Sequence, residues 1–318
     1  MAYYQRKNHP YSSKKIRMPF VMLLTILFFG IGCSDSKNQP FINIKSSTPK
    51  PTTAVNQQSA TIKVAVIPTQ SSPEQFTNIQ ELSEYLEKSL FRKFDIQIQK
   101  DYETAVELLV SEKVQIAYLG SLTYIKAKQN NPNIQPILAP ITKTTGRPWH
   151  TSVIIANANK IKSIQDLKNK RFGFVSKSST TGFLIPQVEF FQAQNINPAQ
   201  TLTEIKFLGS DHQAIAALTD GEVDAVAVAQ EAFIKAQSEK KIDPKKYIKI
   251  WESSPLPTDP IVVSTKLDPR LINGIKKALL DAPPGIIALS GTENAGYTIV
   301  DDINYERIRR LLQQLQEN

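Results

Sequence analysis

From residue 61 onward the chain alternates short apolar runs with longer amphipathic stretches, and this alternation constrains the fold more than any other feature. "IKVAVIP" (62–68) reads as a buried strand, 73–93 as a helix with Leu82, Leu86 and Leu90 on one face, and "FDIQIQ" as a second strand. "YETAVELLVSEK" reads as a helix and "VQIAYLG" as a third strand. Apolar strands separated by helices predict a largely parallel sheet with helices on both faces. The ligand site of such a sheet lies at the carboxyl ends of its strands. A second set follows, with "TSVIIAN" (151–157), "RFGFV" (171–175), "EIKFLG" (204–209), "DAVAVA" (224–229) and "YIKIWES" (247–253) as strands. "DPIVVST" (259–265) reads as a returning strand, and helices near 268–281 and 303–316 close the chain. The expectation is an α/β fold of two lobes, each a mostly parallel sheet flanked by helices. Lobe 1 would hold 61–148 plus 258–318 and lobe 2 would hold 149–257. Two crossings between lobes make a hinged clamp, and ligands favour such interfaces.

The chain before residue 61 has a different texture. Arg6, Lys7, Lys14, Lys15 and Arg17 precede an apolar run over 18–31, broken by Pro19, Thr25 and Gly30. "GIGC" then ends in Cys33, the only cysteine. The run falls short of the roughly 20 residues of a membrane span and suits the core of an export signal. Small residues leading to a cysteine resemble a bacterial lipoprotein signal, in which the cysteine is lipidated and becomes the new N-terminus. Gly30 stands where that signal usually has leucine; a free buried cysteine or an uncleaved anchor is the alternative. The expectation is a signal peptide over 1–33, lipidation at Cys33 and a flexible tether over 34–60, whose Ser, Thr, Pro, Asn and Gln cannot bury enough apolar surface to order it. Such a protein is exported and lipid-anchored, in the periplasm or on the outer face of the cytoplasmic membrane. A single cysteine allows no internal disulfide.

The formal charge of +9 invites a nucleic-acid reading, but five of the basic residues precede residue 18 and no acid precedes Asp35. The remainder carries +9 − 5 = +4, with no basic stripe interleaved with aromatics, so nucleic acid is not an expected partner. The chain contains no phosphate loop, no G-x-G-x-x-G, no H-E-x-x-H and no G-x-S-x-G, and its histidines are His9, His150 and His212. Neither a cofactor nor a metal is expected. Ser179, His212 and Asp259 compose a hydrolase triad on paper, but the nucleophile lacks its sharp-turn motif, and an enzyme is not expected.

"VSKSSTTGFLIP" (175–186) carries the most chemistry. Four consecutive hydroxyl residues, 178–181, follow a strand and run through Gly182 into an apolar segment (183–191) of helical spacing. Such a junction gathers free N–H and O–H donors where the helix dipole favours an anion. One hydroxyl suffices to cap a helix, so the run is either a cap and loop or an oxyanion cradle. His212 in "FLGSDHQAIAAL" also lies between a strand and a helix, and His150 directly precedes the strand that opens lobe 2. Tyr102 opens a helix and Asp259 sits at the second crossing. Each has a plain packing, capping or turn reading, yet all fall on one inferred edge of the two sheets.

Taken together, "VAVIPTQSSPEQ", "DYETAVELLVSEKVQIAYLGSLTY", "WHTSVIIANA", "SSTTGFLIPQ", "GSDHQAIAALTDGEVDAVAV" and "IWESSPLPTDPIVV" resemble the phosphate/phosphite/phosphonate substrate-binding proteins of ABC transporters. The likeness runs from about residue 61 to 315. It implies a two-lobed periplasmic-binding-protein fold (type II-like) that closes on a small phosphorus oxyanion and delivers it to a membrane permease and its ATPase, as a monomer. It implies ligand contacts from Ser179, Thr180, Thr181, Tyr102, His150, His212 and Asp259, and less directly from Gln70, Tyr118 and Glu231. "GSDH" stands where the family often has "GSHD", leaving open whether Asp211 or His212 faces the ligand. Ser178 is read as a bystander, and Thr180→Val as weakening binding with little change in stability. A compact anion (phosphite, phosphate or a small phosphonate) is preferred to aminoethylphosphonate, because Glu231 aligns poorly with the acid that would hold an amine. The alternatives are the same fold binding a sulfonate, nitrate or vitamin precursor, and a lipid-anchored sensor ectodomain.

Overall fold

The computed structural model describes residues 61–69, 72–143, 146–283, 289–290 and 294–317, all within one compact unit, Val55–Asn318. The expected signal (1–33), lipidation at Cys33, the tether (34–60) and Gln70 lie outside the described residues.

The first β-α-β-α-β pattern folds as the apolar periodicity requires. β1 (Ile62–Val66), α1 (Ser72–Leu90), β2 (Phe94–Ile98), α2 (Tyr102–Val110) and β3 (Ile116–Tyr118) are followed by α3 (Ser121–Asn130) and β4 (Ile134–Thr142). After them come β5 (Trp149–His150), β6 (Ser152–Asn157) and β7 (Arg171–Phe174). A π-helical stretch, Thr180–Leu184 and Pro186–Phe191, leads to the one-turn α4 (Pro198–Thr201) and β8 (Glu204–Phe207). The chain continues through α5 (Asp211–Thr219), β9 (Ala225–Ala229), α6 (Gln230–Ser238), β10 (Tyr247–Glu252) and β11 (Leu256–Pro257). It ends with β12 (Ile261–Ser264), α7 (Pro269–Leu280), β13 (Asn294–Ile299) and α8 (Glu306–Glu317).

Two sheets organise two lobes. One has the order β13-β4-β12-β3-β1-β2 and the other β10-β6-β9-β7-β8. Each contains a parallel trio: β3-β1-β2 pair in parallel in the first, β9-β7-β8 in the second. The rest of each sheet pairs antiparallel, through β12 against β3 and β4 and through β6 against β9 and β10. The sheets are therefore mixed. The parallel trios arise from strand–helix–strand units, whereas β12 and β6 enter from the other lobe and run the opposite way. A two-residue antiparallel ladder, β5 with β11, pairs the two crossings: Pro257 faces Trp149 and Leu256 faces His150.

Within the trios β1, β3, β7 and β9 are largely buried, as parallel strands covered on both faces must be, whereas the edge strands β2 and β8 are partly exposed. The second lobe adds an aromatic cluster of Phe172, Phe174, Phe190 and Phe191, with Phe172 and Phe174 at 4.8 Å and Phe190 and Phe191 at 4.9 Å between ring centroids. Segment 183–191 is helical but widened. Pro186 supplies no N–H to the i→i−4 ladder, and the chain adopts i→i+5 bonding around it. Among the described residues no helix is long and apolar enough to cross a membrane.

Candidate functional site

The segments that follow β1, β2, β3, β7 and β8 and the end of β9 line one cleft of about 340 Å³. This is where the carboxyl ends of parallel strands present free backbone groups.

The hydroxyl run occupies its centre. Ser179 is extended and its Oγ accepts from the Gly182 N–H at 3.0 Å, capping the π-helical turn. In a π turn the next N–H returned to the chain is late: Leu184 N–H donates to Ser179 O and Ile185 N–H to Thr180 O. Gly182 is required by space. A Cβ there would lie 2.4 Å from Val175 Cγ2, so any side chain would push the turn away from β7. Ser179 therefore caps the helix and also borders the cleft, so the cap and cradle readings coincide in one residue.

Thr180 faces the other lobe. Its Oγ1 accepts from the Leu122 N–H at 2.8 Å, in the first turn of α3. The neighbouring Ser121 N–H donates to Asp259 Oδ1 at 2.9 Å, and Ser121 Oγ lies 3.4 Å from the same oxygen. The N-terminus of α3 thus spends its free donors on two side chains that border the cleft. Gly120 completes the junction: a Cβ there would sit 3.7 Å from Thr180 Oγ1 and 3.8 Å from Asp259 Oδ1. Because Thr180 is the only acceptor for the Leu122 N–H among the described residues, Thr180→Val would leave a buried donor unpaired. The expectation of little change in stability is thereby corrected.

The cleft is rich in acids, and burial dominates their chemistry. Burial pushes the Asp259 carboxyl up to about 7, against the two bonds from Ser121. It pushes Asp211 up to about 6, opposed by the Ala229 N–H, which donates to Oδ1 at 2.9 Å, and reinforced by the charge of Asp259. Burial also raises Glu231 and lowers His150, each opposed by the other's charge. Tyr102 is held well above its ordinary value by burial and by the charges of Asp211 and Asp259, with Ser179 within hydrogen-bonding reach. Four buried polar atoms on this wall lack a partner among the described residues: His150 Nε2, Glu231 Oε2, Thr258 Oγ1 and Asn294 Nδ2. Orphaned buried polar atoms are rare and costly. These four line one cavity, three further such atoms (Gln187 Oε1, Gln192 Oε1 and Tyr297 Oη) lie outside it, and no arginine is among the described residues that line it.

The structure brings Tyr102, His150, Ser179, Thr180, Thr181 and Asp259 to this cleft, and with them Tyr118, His212 and Glu231. Asp211 and His212 both line it. Asp211 is the buried member and His212 is half-buried. Sequence reasoning missed Gly120, Ser121 and the first turn of α3, although "YLGSLTY" has the strand–Gly–Ser–helix form that marks such a junction. It also missed Thr258 and Asn294, which carry no local signal. Ser178 is no bystander to the architecture: its Oγ donates to Glu103 Oε1 at 2.6 Å and accepts from Lys126 Nζ at 3.0 Å. Among the described residues no group of three His, Cys, Asp or Glu side chains is placed to hold a metal.

Residues 64–310 match the family described as "ABC transporter, phosphonate, periplasmic substrate-binding protein". The phosphate-import protein PhnD of Mycolicibacterium smegmatis is 25% identical over 240 residues, 73% of this chain and 74% of that protein. The phosphonates-binding periplasmic protein of Escherichia coli is 30% identical over 182 residues, 56% of this chain and 53% of its own length. Among solved structures, PhnD1 from Prochlorococcus marinus in complex with methylphosphonate superposes with a TM-score of 0.73 at 20% identity, covering 81% of this chain and 99% of that one. A binding protein component of an ABC phosphonate transporter from Pseudomonas aeruginosa gives 0.74 at 21% identity, covering 81% and 87%. At these identities the two structures show a shared fold.

Proposed function

This chain belongs to the phosphonate substrate-binding family of ABC transporters, and we propose that it captures a small phosphorus oxyanion in the cleft between its lobes and hands it to a permease and its ATPase. The observation that carries the reading is the convergence of the hydroxyl run with four unpaired buried polar atoms on one cavity. A tetrahedral oxyanion offers acceptor oxygens to Ser179, Thr180, Thr181 and Tyr102 without requiring a fixed cation. Asp259 and Asp211, whose carboxyls hold protons at weakly acidic pH, donate to an oxyanion or accept its own proton. Sulfate, which carries no proton near neutrality, is repelled. The moving bodies are 61–148 with 258–318 and 149–257, and the β5–β11 ladder is the hinge. Export and a lipid at Cys33 keep the monomer beside its permease.

Glu231 favours a second ligand of the same class. Its buried Oε2 is unpaired on the cleft wall, which removes the ground for ranking an amine-bearing phosphonate below a compact anion.

Thermal unfolding of the purified protein with phosphate, phosphite, methylphosphonate, aminoethylphosphonate and sulfate tests the reading. A ligand at 100 times its Kd stabilises by about 2.7 kcal/mol. A response to sulfate but to none of the phosphorus anions would sink it.

A further inference from the structure

The closing segment of the chain, 302–317, is tied to three places at once. Tyr124 of α3 stacks edge-on against Tyr305 at 5.1 Å between ring centroids, and its hydroxyl donates to Asp302. These contacts fix the segment to lobe 1. Tyr305 Oη donates to Thr258 O at 3.0 Å, and Arg307 Nη1 donates to Pro255 O. The two carbonyls flank β11, so the segment also grips the second crossing. Arg307 Nη2 then reaches lobe 2, where it pairs with Glu189.

Arg307 does little for its own helix. It lies in the first turn of α8, where the helix dipole disfavours a cation. Its acceptors at Pro255 and Glu189 both lie outside α8, and the planar guanidinium fork suits two acceptors at fixed positions. Both members of the Glu189 pair are only partly exposed, so water and salt screen it less than a surface pair. Neither is among the described residues that line the cleft. Glu189 does belong to the π-helical stretch whose other end carries Thr180 and Thr181. Holding Glu189 therefore holds those hydroxyls against lobe 1 without touching a ligand.

We propose that Arg307 is a positioning residue for capture: through Glu189 it draws the two lobes together from outside the cleft, and so scales the affinity for every ligand by one common factor. Pro255 adjoins the ladder taken above as the hinge, so the bond to it would persist as the lobes turn. Glu189 stands off the ladder, and its bond would be lost when they part. The pair then raises the fraction of protein whose lobes are closed, and apparent affinity scales with that fraction. The effect on affinity rests on the proposed capture of an oxyanion; the effect on lobe position does not.

Calorimetric titration of the purified full chain with phosphate, phosphite and methylphosphonate, beside ligand-free small-angle scattering, tests it. Glu189→Gln keeps the size of the side chain and leaves the Pro255 bond in place. It should weaken each anion that binds by about three- to tenfold, somewhat above the worth of a surface ion pair, with the ratios among anions unchanged. Arg307→Gln combined with Glu189→Gln should bind no more weakly than Arg307→Gln alone, because the pair is already broken. A purely structural pair would lower Tm in the variants and leave every affinity as it was, which overturns the inference. So does a loss confined to one anion, or tighter binding. If none of the three anions binds, the oxyanion reading falls and scattering decides: a larger radius in Glu189→Gln supports the positioning role, and an equal one overturns it.

Discussion

Asp259→Asn isolates the proton chemistry of the cleft. Asparagine keeps the Oδ1 acceptor for the Ser121 N–H and hydroxyl, at 2.9 and 3.4 Å, and replaces the ionisable oxygen by an amide. In the natural chain the carboxyl titrates near 7 when folded against an ordinary 3.8. The folded state therefore binds more protons between those values, and its stability is fully present below about 3.8 and lost as pH rises through 7. At 1.36 kcal/mol per pH unit the loss is about 4 kcal/mol, an order-of-magnitude figure for a buried group. Asparagine carries no such penalty. The variant should match the natural protein near pH 4 and exceed it at pH 8 by up to about 4 kcal/mol, or roughly 8–16 °C in Tm at the 2–4 °C per kcal/mol usual for chains of 150–250 residues. Ligand-free calorimetric scans from pH 4 to 8 measure this. Binding carries the same signature: above pH 7 the natural protein accepts an anion only with a proton taken from solvent or brought by the ligand, and the variant needs neither. Parallel pH profiles for the two proteins, or a variant less stable at pH 8, would refute a buried and titrating Asp259.

Thr180→Val should cost about 1–3 kcal/mol in denaturant unfolding by orphaning the Leu122 N–H, while Thr180→Ser should stay close to the natural value. Ser178→Ala should loosen the lobe contact, since it removes a bond to Glu103 and leaves Lys126 short of an acceptor; an unchanged small-angle scattering radius for the ligand-free variant would count against that role. Phe172→Ala empties a fully buried position in the aromatic cluster and should cost about 3–5 kcal/mol, read from the urea midpoint. Cys33→Ala should move the protein from the membrane fraction to the soluble one on cell fractionation, and continued membrane association would exclude the lipid anchor.

The parallel trios were legible because β3 and β9 are continuous apolar runs, a pattern that burial on both faces demands, and β2 and β8 alternate as half-covered edge strands do. β4 was not, because "IQPILAPIT" contains Pro136 and Pro140, which argue against a central strand. The strand tolerates them at irregularities: the register shifts where Val262 meets Pro136 and again where Tyr297 meets Pro140. Position along the strand ends sufficed to bring Tyr102, the hydroxyl run and Asp259 to one edge. What position could not show was which donors were already spent. Ser178 and Thr180 look alike in the sequence, yet one joins Lys126 to Glu103 and the other takes an N–H from α3. Those partners lie 52, 75 and 58 residues away along the chain, so no local pattern records them.

The ladder between β5 and β11 bears on how binding is divided between capture and closure. Because Trp149–Pro257 and His150–Leu256 pair across the two crossings, a hinge at the ladder, as proposed above, would turn both crossings about a shared axis. His150 would ride on that axis. A contact made there is kept through the whole rotation, so it contributes equally to both ends of the movement and biases neither. Thr180 lies across the cleft from Leu122, whose N–H it accepts at 2.8 Å, and ligand contacts made from both sides of that seam can be made together only when the jaws meet. A substitution at His150 should therefore weaken first capture without changing how firmly the loaded protein shuts, whereas one at Thr180 should do the reverse.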